Sequence, residues 1–211
     1  MLTLRCIIAV VVAYLLGSLN FSIIVSKLLL KKDIRDFGSG NAGTTNSYRV
    51  MGGAKASFVI IGDALKGIAA VMLVNPIVGE YQGSIDVIRA LVGAAAVFGH
   101  AFPVFFDFRG GKGVLTTAAV VLCLDYRVCL IAVIIFLLLV ALTRYVSVGS
   151  IVAVWSAPVS FSVFYGINMN SLVFILLGAV LAAFVTILHR SNIKRLLSGT
   201  ENKFSFKKKS T

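Results

Sequence analysis

Long blocks of apolar residues dominate this chain, and they restrict its possible folds more than any other feature. Backbone N–H and C=O groups find no water inside a bilayer, so a spanning segment must be helical and about 20 residues long. Only 13% of the residues are charged, against about 25% in an ordinary soluble domain, which excludes a water-soluble globular protein. The sequence predicts an all-α, polytopic membrane protein with about seven transmembrane helices, placed near residues 4–25, 54–75, 85–106, 114–124, 128–142, 151–165 and 171–188.

Lysine and arginine are concentrated in alternate connecting segments. Five of them lie in residues 26–53, two lie in 107–113, Arg144 occupies the next turn, and seven lie from Arg190 onward. The intervening connections contain Arg127 alone. Because basic residues favour the cytoplasmic side of a membrane, we expect the N-terminus outside, the C-terminus in the cytoplasm and a multi-pass location in the cytoplasmic (inner) membrane.

The chain is predicted to form one transmembrane domain over residues 1–198, followed by a basic cytoplasmic tail over residues 199–211. Met1 to Leu4 lacks the basic start of a signal peptide, so the first apolar block is expected to be a retained span. The lysines at 207–209 follow a membrane domain directly, where basic clusters usually contact anionic headgroups. We therefore expect membrane lipids, and no nucleic acid, as partners of the tail.

Two glycine-rich polar segments interrupt the apolar sequence. The first island is residues 38–46, Gly-Ser-Gly-Asn-Ala-Gly-Thr-Thr-Asn, and the second island is residues 109–113, Arg-Gly-Gly-Lys-Gly. Glycine lets the backbone pass close to a ligand, and successive N–H groups can converge on an anion. Arg49 and Lys112 supply positive charge beside these loops. The pattern indicates phosphate binding at the bilayer surface; for the first island the alternative is a tight cytoplasmic turn with one snorkelling arginine.

Details around the islands lead to further expectations. Residues 47–51 are predicted to begin a short helix whose N-terminus faces the first island. The second island lacks the Walker spacing, which argues against a nucleotide hydrolase. The block 114–124, which follows it, has only eleven residues, so either the bilayer thins there or the flanking glycine-rich loops dip below the headgroups. A hairpin over 114–142 that does not fully cross is a further alternative.

Charged and titratable residues also fall inside the predicted spans. Asp63 and Lys66 are three residues apart on a helix, so they are expected to pair, with either a structural or a ligand-binding role. His100 and Asp107 lack the His-x4-Asp spacing of soluble-type acyltransferases, and we interpret His100 as a core or interfacial histidine.

Two further polar segments lie towards the C-terminus. Ser147 and Ser150 follow Arg144 in what is expected to be a cytoplasmic turn. His189 and Asn192 fall on one helical face if the segment is helical. The alternative for this last segment is a basic interfacial helix that Gly199 terminates.

Taken together, these motifs resemble the acyl-phosphate-dependent glycerol-3-phosphate acyltransferase family of bacterial membranes. The resemblance covers nearly the whole chain, and several motifs in one order are more specific than any single motif. Its departures are small, with Thr44-Thr45 and Leu115-Thr116 where the family more often has Ala-Thr. It rests on the first island followed by Arg49, on Gly62-Asp63-x-x-Lys66-Gly67, on Gly99-His100 through Gly-Gly-Lys-Gly-Val, on Ser147 to Ser150, and on His189-Arg190-x-Asn192-x-x-Arg195-Leu196.

The resemblance implies acyl transfer from acyl phosphate to the 1-hydroxyl of glycerol 3-phosphate, the first step of phospholipid synthesis, in a seven-span fold with an outside N-terminus. It implies no metal or other cofactor, and other enzymes of lipid synthesis are candidate partners. The catalytic candidates are Ser39, Arg49, Lys112, His189 and Asn192. The substrate-binding candidates are Gly38, Gly40, Asn41, Gly43, Thr45, Asn46, Gly110, Gly111, Gly113, Ser147 and Ser150.

The residues themselves agree with chemistry on an activated donor. No cysteine nucleophile or Ser-His-Asp arrangement is evident, so direct attack assisted by positioning and electrostatic stabilisation would suffice. The proton of the attacking hydroxyl could pass to the donor's own phosphate or to His189. Two other classes of function remain open from the residues alone: a transporter or flippase for a phosphorylated small molecule, and a non-catalytic membrane scaffold.

Overall fold

The computed structural model describes residues 2–79 and 85–205, and their regular structure is entirely helical. The lysines at 207–209, expected to contact headgroups, lie outside the described residues. Short 3-10 turns cover Ile34–Asp36 and Val104–Phe106. The α-helices are α1 (Leu2–Gly17), α2 (Phe21–Leu30), α3 (Thr44–Met51), α4 (Gly53–Met72), α5 (Val74–Val78), α6 (Ile85–Ala101), α7 (Val114–Leu124), α8 (Tyr126–Thr143), α9 (Val146–Tyr165), α10 (Met169–Leu188) and α11 (Arg190–Leu197).

The all-α, polytopic membrane architecture is confirmed. Within residues 2–79 and 85–205, six segments are long and apolar enough to cross a membrane, and the shorter apolar helix α7 accompanies them. The orientation of the termini and the count of seven crossings stay predictions. The six segments are Leu2–Leu30, Gly53–Val78, Ile85–Phe106, Tyr126–Thr143, Val146–Tyr165 and Ser171–Leu188.

The chain divides into two compact units, Met1–Asp125 and Tyr126–Thr211. The single domain over 1–198 therefore stays a prediction. In the first unit, small residues let the helices approach closely: a Cβ on Gly17 would overlap the main chain of Ala96, and one on Gly93 would overlap Val120. Such contacts suit membrane helices, whose association depends on van der Waals packing and not on the exclusion of water.

The first apolar block is interrupted, where the sequence predicted one continuous span over 4–25. α1 ends at Gly17 and α2 begins at Phe21. The side chain of Asn20 caps α2 by accepting a hydrogen bond from the N–H of Ile23 at 3.2 Å. A side-chain cap of this kind supplements the backbone hydrogen bond from the same N–H to the carbonyl oxygen of Asn20, at 3.1 Å, and stabilises the start of α2.

The second unit is built from α8 to α11. α9 packs against both α8 and α10, with Gly149 of α9 against Phe136 of α8. Pro158 lies inside α9 and contacts Gly178 of α10, and the rings of Phe161 and Phe174 stack at 5.6 Å between centroids. These contacts fix α9, whose first turn is polar, against α10, which is followed by the short α11.

Candidate functional site

The first island is folded around the side chain of Asn46. The N–H of Ser39 donates to Asn46 Oδ1 at 2.8 Å, and Asn46 Nδ2 donates to the carbonyl oxygen of Phe37 at 2.9 Å. Gly38 and Gly40 have φ values of 63° and 70°, which favour glycine. A Cβ on Gly38 would also overlap Asn46 Oδ1. The buried amide of Asn46 therefore shapes the loop, whereas Ser39 is exposed on its outer side.

The short helix after the first island starts three residues earlier than the sequence predicted. α3 begins at Thr44, because Gly43 is extended, with φ −144° and ψ 168°, and occupies the cap position. The first N–H groups of a helix have no partner within it, and the helix dipole makes this end favourable for an anion. Thr44 and Thr45 thus belong to the helix N-terminus itself, while Arg49 lies exposed in the last turn of α3.

The second island is held by backbone hydrogen bonds to the end of α6. The N–H of Gly110 donates to the carbonyl oxygen of Ala101, and the N–H of Gly111 donates to that of His100, both at 3.1 Å. These two N–H groups are therefore used to hold the loop against the end of α6. Gly113, with φ 76°, caps α7, so Lys112 lies two residues before the first turn of that helix.

The two islands lie side by side within the first unit. A Cβ on Gly111 would come within 2.6 Å of the carbonyl oxygen of Ala42, and it would overlap Nε2 of His100. The close approach explains why glycine occupies position 111. It also brings the N-terminal ends of α3 and α7, and with them most of the candidates of both islands, into one region.

Arg35, which sequence reasoning did not single out, links the two island segments. Its Nη1 donates to the carbonyl oxygen of Phe106 at 2.8 Å and to that of Arg109 at 3.3 Å. Its Nη2 pairs with Asp33 at 2.9 Å. The hydrogen bond from Arg35 lowers the pKa of Asp33 from 3.8 to about 2. The same hydrogen bond, to the Asp33 carboxylate, raises the pKa of Arg35.

A buried polar cluster lies beneath the islands. Asp63 and Lys66 pair at 2.7 Å, as their spacing predicted. Nδ1 of His100 lies 2.9 Å from Lys66 Nζ and 3.5 Å from Asp63 Oδ1. His100 is buried, in agreement with its interpretation as a core residue. Lys66 Nζ also donates to the carbonyl oxygen of Leu19 at 3.0 Å, in the break between α1 and α2.

In the second unit, Glu201 gathers three polar side chains. Its Oε1 accepts from Asn192 Nδ2 at 2.6 Å and from the hydroxyl of Ser147 at 2.9 Å, and its Oε2 accepts from Arg195 Nε at 2.7 Å. Burial works to raise the pKa of Glu201, but these hydrogen bonds outweigh it and the pKa is lowered. The sequence analysis assigned Glu201 to the tail and gave it no role. The feature that could have singled it out is that it is the only acidic residue after Asp125.

His189 has a defined tautomer in this arrangement. Its Nδ1 lies 2.8 Å from the carbonyl oxygen of Val185, which can only accept, so Nδ1 carries the hydrogen. The neutral ring therefore has its basic lone pair on Nε2. His189 caps α11, which contains Asn192, and the helix ends at Leu197 just before Gly199, whose φ is 69°. The predicted stop at Gly199 is thus observed.

The candidate residues fall into these two groups. The first unit brings together the two islands, with Arg49 at the far end of α3. The second unit brings Ser147 and Asn192 together through Glu201. Ser147 and Ser150 both lie buried in the first turns of α9, so the expected turn after Arg144 is already helical at these positions.

The chain is similar to curated proteins over nearly its full length. It is 41% identical to the glycerol-3-phosphate acyltransferase of Thermoanaerobacter pseudethanolicus, with 95% of this chain and 96% of the relative covered. It is 40% identical to the enzyme of the same name from Shouchella clausii, over 95% of this chain and 97% of that relative. The enzyme from Coxiella burnetii is 41% identical, over 93% and 97% of the two chains.

Solved structures show the same fold. The crystal structure of PlsY, an integral membrane glycerol 3-phosphate acyltransferase, in its glycerol 3-phosphate form matches with a TM-score of 0.84 and 36% identity. Its lysophosphatidic acid form matches with a TM-score of 0.82 and 35% identity. Each match covers 95% of this chain and 96% of the other. The glycerol-3-phosphate acyltransferase family model matches residues 7–199. The resemblance inferred from the motifs is confirmed, and this chain belongs to the glycerol-3-phosphate acyltransferase family.

Proposed function

We propose that this protein transfers a fatty acyl group from acyl phosphate to the 1-hydroxyl of sn-glycerol 3-phosphate. The products are lysophosphatidic acid and inorganic phosphate, and the reaction begins phospholipid synthesis. Membership of the family supports the acceptor, since the similar crystal structures include a glycerol 3-phosphate form and a lysophosphatidic acid form. It also favours an enzyme over the transporter and scaffold alternatives.

The observation that carries this proposal is the contact between the two islands. Gly111 packs against Ala42, so the N-terminal ends of α3 and α7 and the charge of Lys112 share one region of the first unit. Helix N-termini and fixed positive charge both favour phosphate. Both proposed substrates carry a phosphate, so a region with two phosphate-binding elements suits them.

The proposed chemistry needs no covalent enzyme intermediate. The substrate hydroxyl oxygen attacks the carbonyl carbon of acyl phosphate, a C–O ester bond forms, and the bond from that carbon to the phosphate oxygen breaks. Phosphate leaves with the electron pair, and the hydroxyl proton passes to a base. His189 is suited to this because its basic nitrogen is Nε2, fixed by the bond from Nδ1 to Val185. The leaving phosphate is the alternative acceptor.

Ser147, Ser150 and Asn192 are proposed to act with His189. Glu201 accepts hydrogen bonds from the amide of Asn192 and from the hydroxyl of Ser147, which fixes the orientation of both side chains. Ser39 and Arg49 are the corresponding candidates beside the first island. We place the active site on the cytoplasmic face of the inner membrane because the basic connecting segments alternate with poorly charged ones.

A direct assay tests the donor. Purified protein in lipid nanodiscs is mixed with glycerol 3-phosphate and either acyl phosphate or acyl-CoA, with chelator present, and both lysophosphatidic acid and released phosphate are measured. We expect equal amounts of the two products with acyl phosphate and much less acyl transfer from acyl-CoA. A strong preference for acyl-CoA under matched conditions would contradict the proposed donor.

A further inference from the structure

We propose that Asp63, Lys66 and His100 form a positioning centre that holds the two islands at the spacing required for phosphate binding, an inference that rests on the function proposed above. The three side chains form the polar cluster beneath the islands. Contacts lead from this cluster to each island through separate residues. The cluster therefore acts on substrate binding through the loops.

Lys66 is the hub of the centre because its ammonium group uses all three of its donors. Nζ lies 2.7 Å from Asp63 Oδ1, 3.0 Å from the carbonyl oxygen of Leu19 and 2.9 Å from His100 Nδ1. An ammonium group cannot accept a hydrogen bond, so His100 Nδ1 accepts and the neutral ring carries its hydrogen on Nε2. Lys66 thereby fixes both the tautomer and the ring orientation of His100.

The path to the first island runs through the break between α1 and α2. Lys66 holds the carbonyl of Leu19, and Asp63 Oδ1 lies 3.5 Å from the N–H of Phe21, on either side of Asn20. The side chain of Asn20 donates to the carbonyl oxygen of Ala42 at 3.1 Å. The geometry of the break therefore sets the position of Ala42, in the middle of the first island.

The path to the second island runs through His100. Its carbonyl oxygen accepts from the N–H of Gly111 at 3.1 Å, and its ring lies so close to Gly111 that a Cβ there would overlap Nε2. The same added Cβ would come within 2.6 Å of the carbonyl oxygen of Ala42. The ring that Lys66 orients is thus the surface on which the second island rests beside the first.

Stability alone does not account for charges at this depth. Asp63 and Lys66 are 1% and 4% exposed, and buried ion pairs are often matched or exceeded in stability by apolar residues of similar volume. Within the described residues, Asp63 Oδ2 has no hydrogen-bond partner, which adds to the free-energy cost of burying this carboxylate. A positional role explains why the pair is present despite this cost.

The decisive experiment replaces the pair without leaving a lone buried charge. The double variant Asp63→Leu/Lys66→Met is purified as the full chain in nanodiscs, and its melting temperature, its affinity for glycerol 3-phosphate by calorimetry and its kinetics are compared with wild type. We expect a melting temperature near that of wild type, because the removal of two buried charges offsets the hydrogen bonds that Leu19 and His100 lose. Because the loops lose their support, the Kd and KM for glycerol 3-phosphate should rise roughly tenfold to a hundredfold.

A folded double variant with the affinity and KM of wild type would overturn the proposal. The calorimetric measurement uses no acyl donor, so a wild type that fails to use acyl phosphate contradicts the proposed function and leaves this test intact.

If the double variant melts far below wild type, two single variants decide. In His100→Asn the amide oxygen takes the place of Nδ1 and can accept from Lys66, whereas in His100→Gln the amide reaches the place of Nε2. We expect the Asn variant to keep more glycerol 3-phosphate affinity than the Gln variant. Equal affinities, or the reverse order, would count against Lys66 as the hub.

Discussion

Replacing Gly111 with alanine tests whether the contact between the islands matters. The added Cβ would stand 2.6 Å from the carbonyl oxygen of Ala42, and ordinary contact begins at 3.4 Å, so the two segments must separate by about 0.8 Å. The ring of His100 must move as well, because the Cβ would overlap its Nε2. Displacements of about 1 Å in a positioned site can cost about a hundredfold in rate.

We therefore expect Gly111→Ala to lower kcat/KM by roughly tenfold to a hundredfold, mainly through a higher KM for glycerol 3-phosphate. Overpacking should also reduce the free energy of unfolding by about 1–3 kcal/mol. The matched control is Gly53→Ala in the same unit, where the nearest atom to the new Cβ, in the ring of Tyr48, lies at an ordinary 3.4 Å. Steady-state kinetics and thermal unfolding in nanodiscs measure both effects. A Gly111→Ala enzyme with the KM of the Gly53→Ala control would refute the reasoning.

Three further predictions concern charge and topology. Lys112→Ala and Arg49→Ala should each lower kcat/KM roughly tenfold to a hundredfold, because a charge-assisted hydrogen bond to phosphate contributes about 1.5–3 kcal/mol. Lys112→Arg should restore little activity. Near-wild-type kinetics for both alanine variants would contradict a phosphate-binding role for these residues. Single cysteines placed at positions 39, 112, 147 and 189 of a cysteine-free protein should not react with a membrane-impermeant thiol reagent added outside intact cells. Ready labelling of any of them would overturn the proposed orientation. Because the folded pKa of Asp33 is depressed to about 2 from 3.8, the stabilisation that its ionised form contributes is present above pH 4 and is lost as the pH falls towards 2. The difference in melting temperature between wild type and Asp33→Asn should shrink over that interval, and a constant difference would show that the ion pair with Arg35 is not its source.

The helices and the Asp63–Lys66 pair were predictable because each depends on residues close together in the chain. Apolar blocks and a three-residue spacing are local patterns that a helix converts directly into contacts. The start of α3 was placed three residues late because Gly43 could act as a helix cap only once the island had folded. The loop around Asn46 likewise depends on a side chain that reaches back seven residues to Ser39.

What the sequence could not show were contacts between distant residues. The break after Gly17 falls in a run that remains apolar enough for one span, and the hydrogen bond that Lys66 donates there comes from 47 residues beyond Leu19. Glu201 approaches Ser147 across 54 residues. Contacts between residues this far apart leave no local pattern in a single sequence. The polar residues could therefore be proposed as site candidates, but their hydrogen-bond partners could not be assigned.

The interrupted first span has a consequence for the order in which the protein is made. The carbonyl of Leu19 is bonded by a lysine that the ribosome adds 47 residues later. Among the described residues, the donor recorded for that carbonyl is Lys66 of α4, so we expect a continuous helix over the first block to be favoured until α4 enters the bilayer. We therefore expect the break to form fully only after the helix carrying Lys66 has inserted. Assembly of the first unit would then include a local refolding of a helix that already lies in the bilayer.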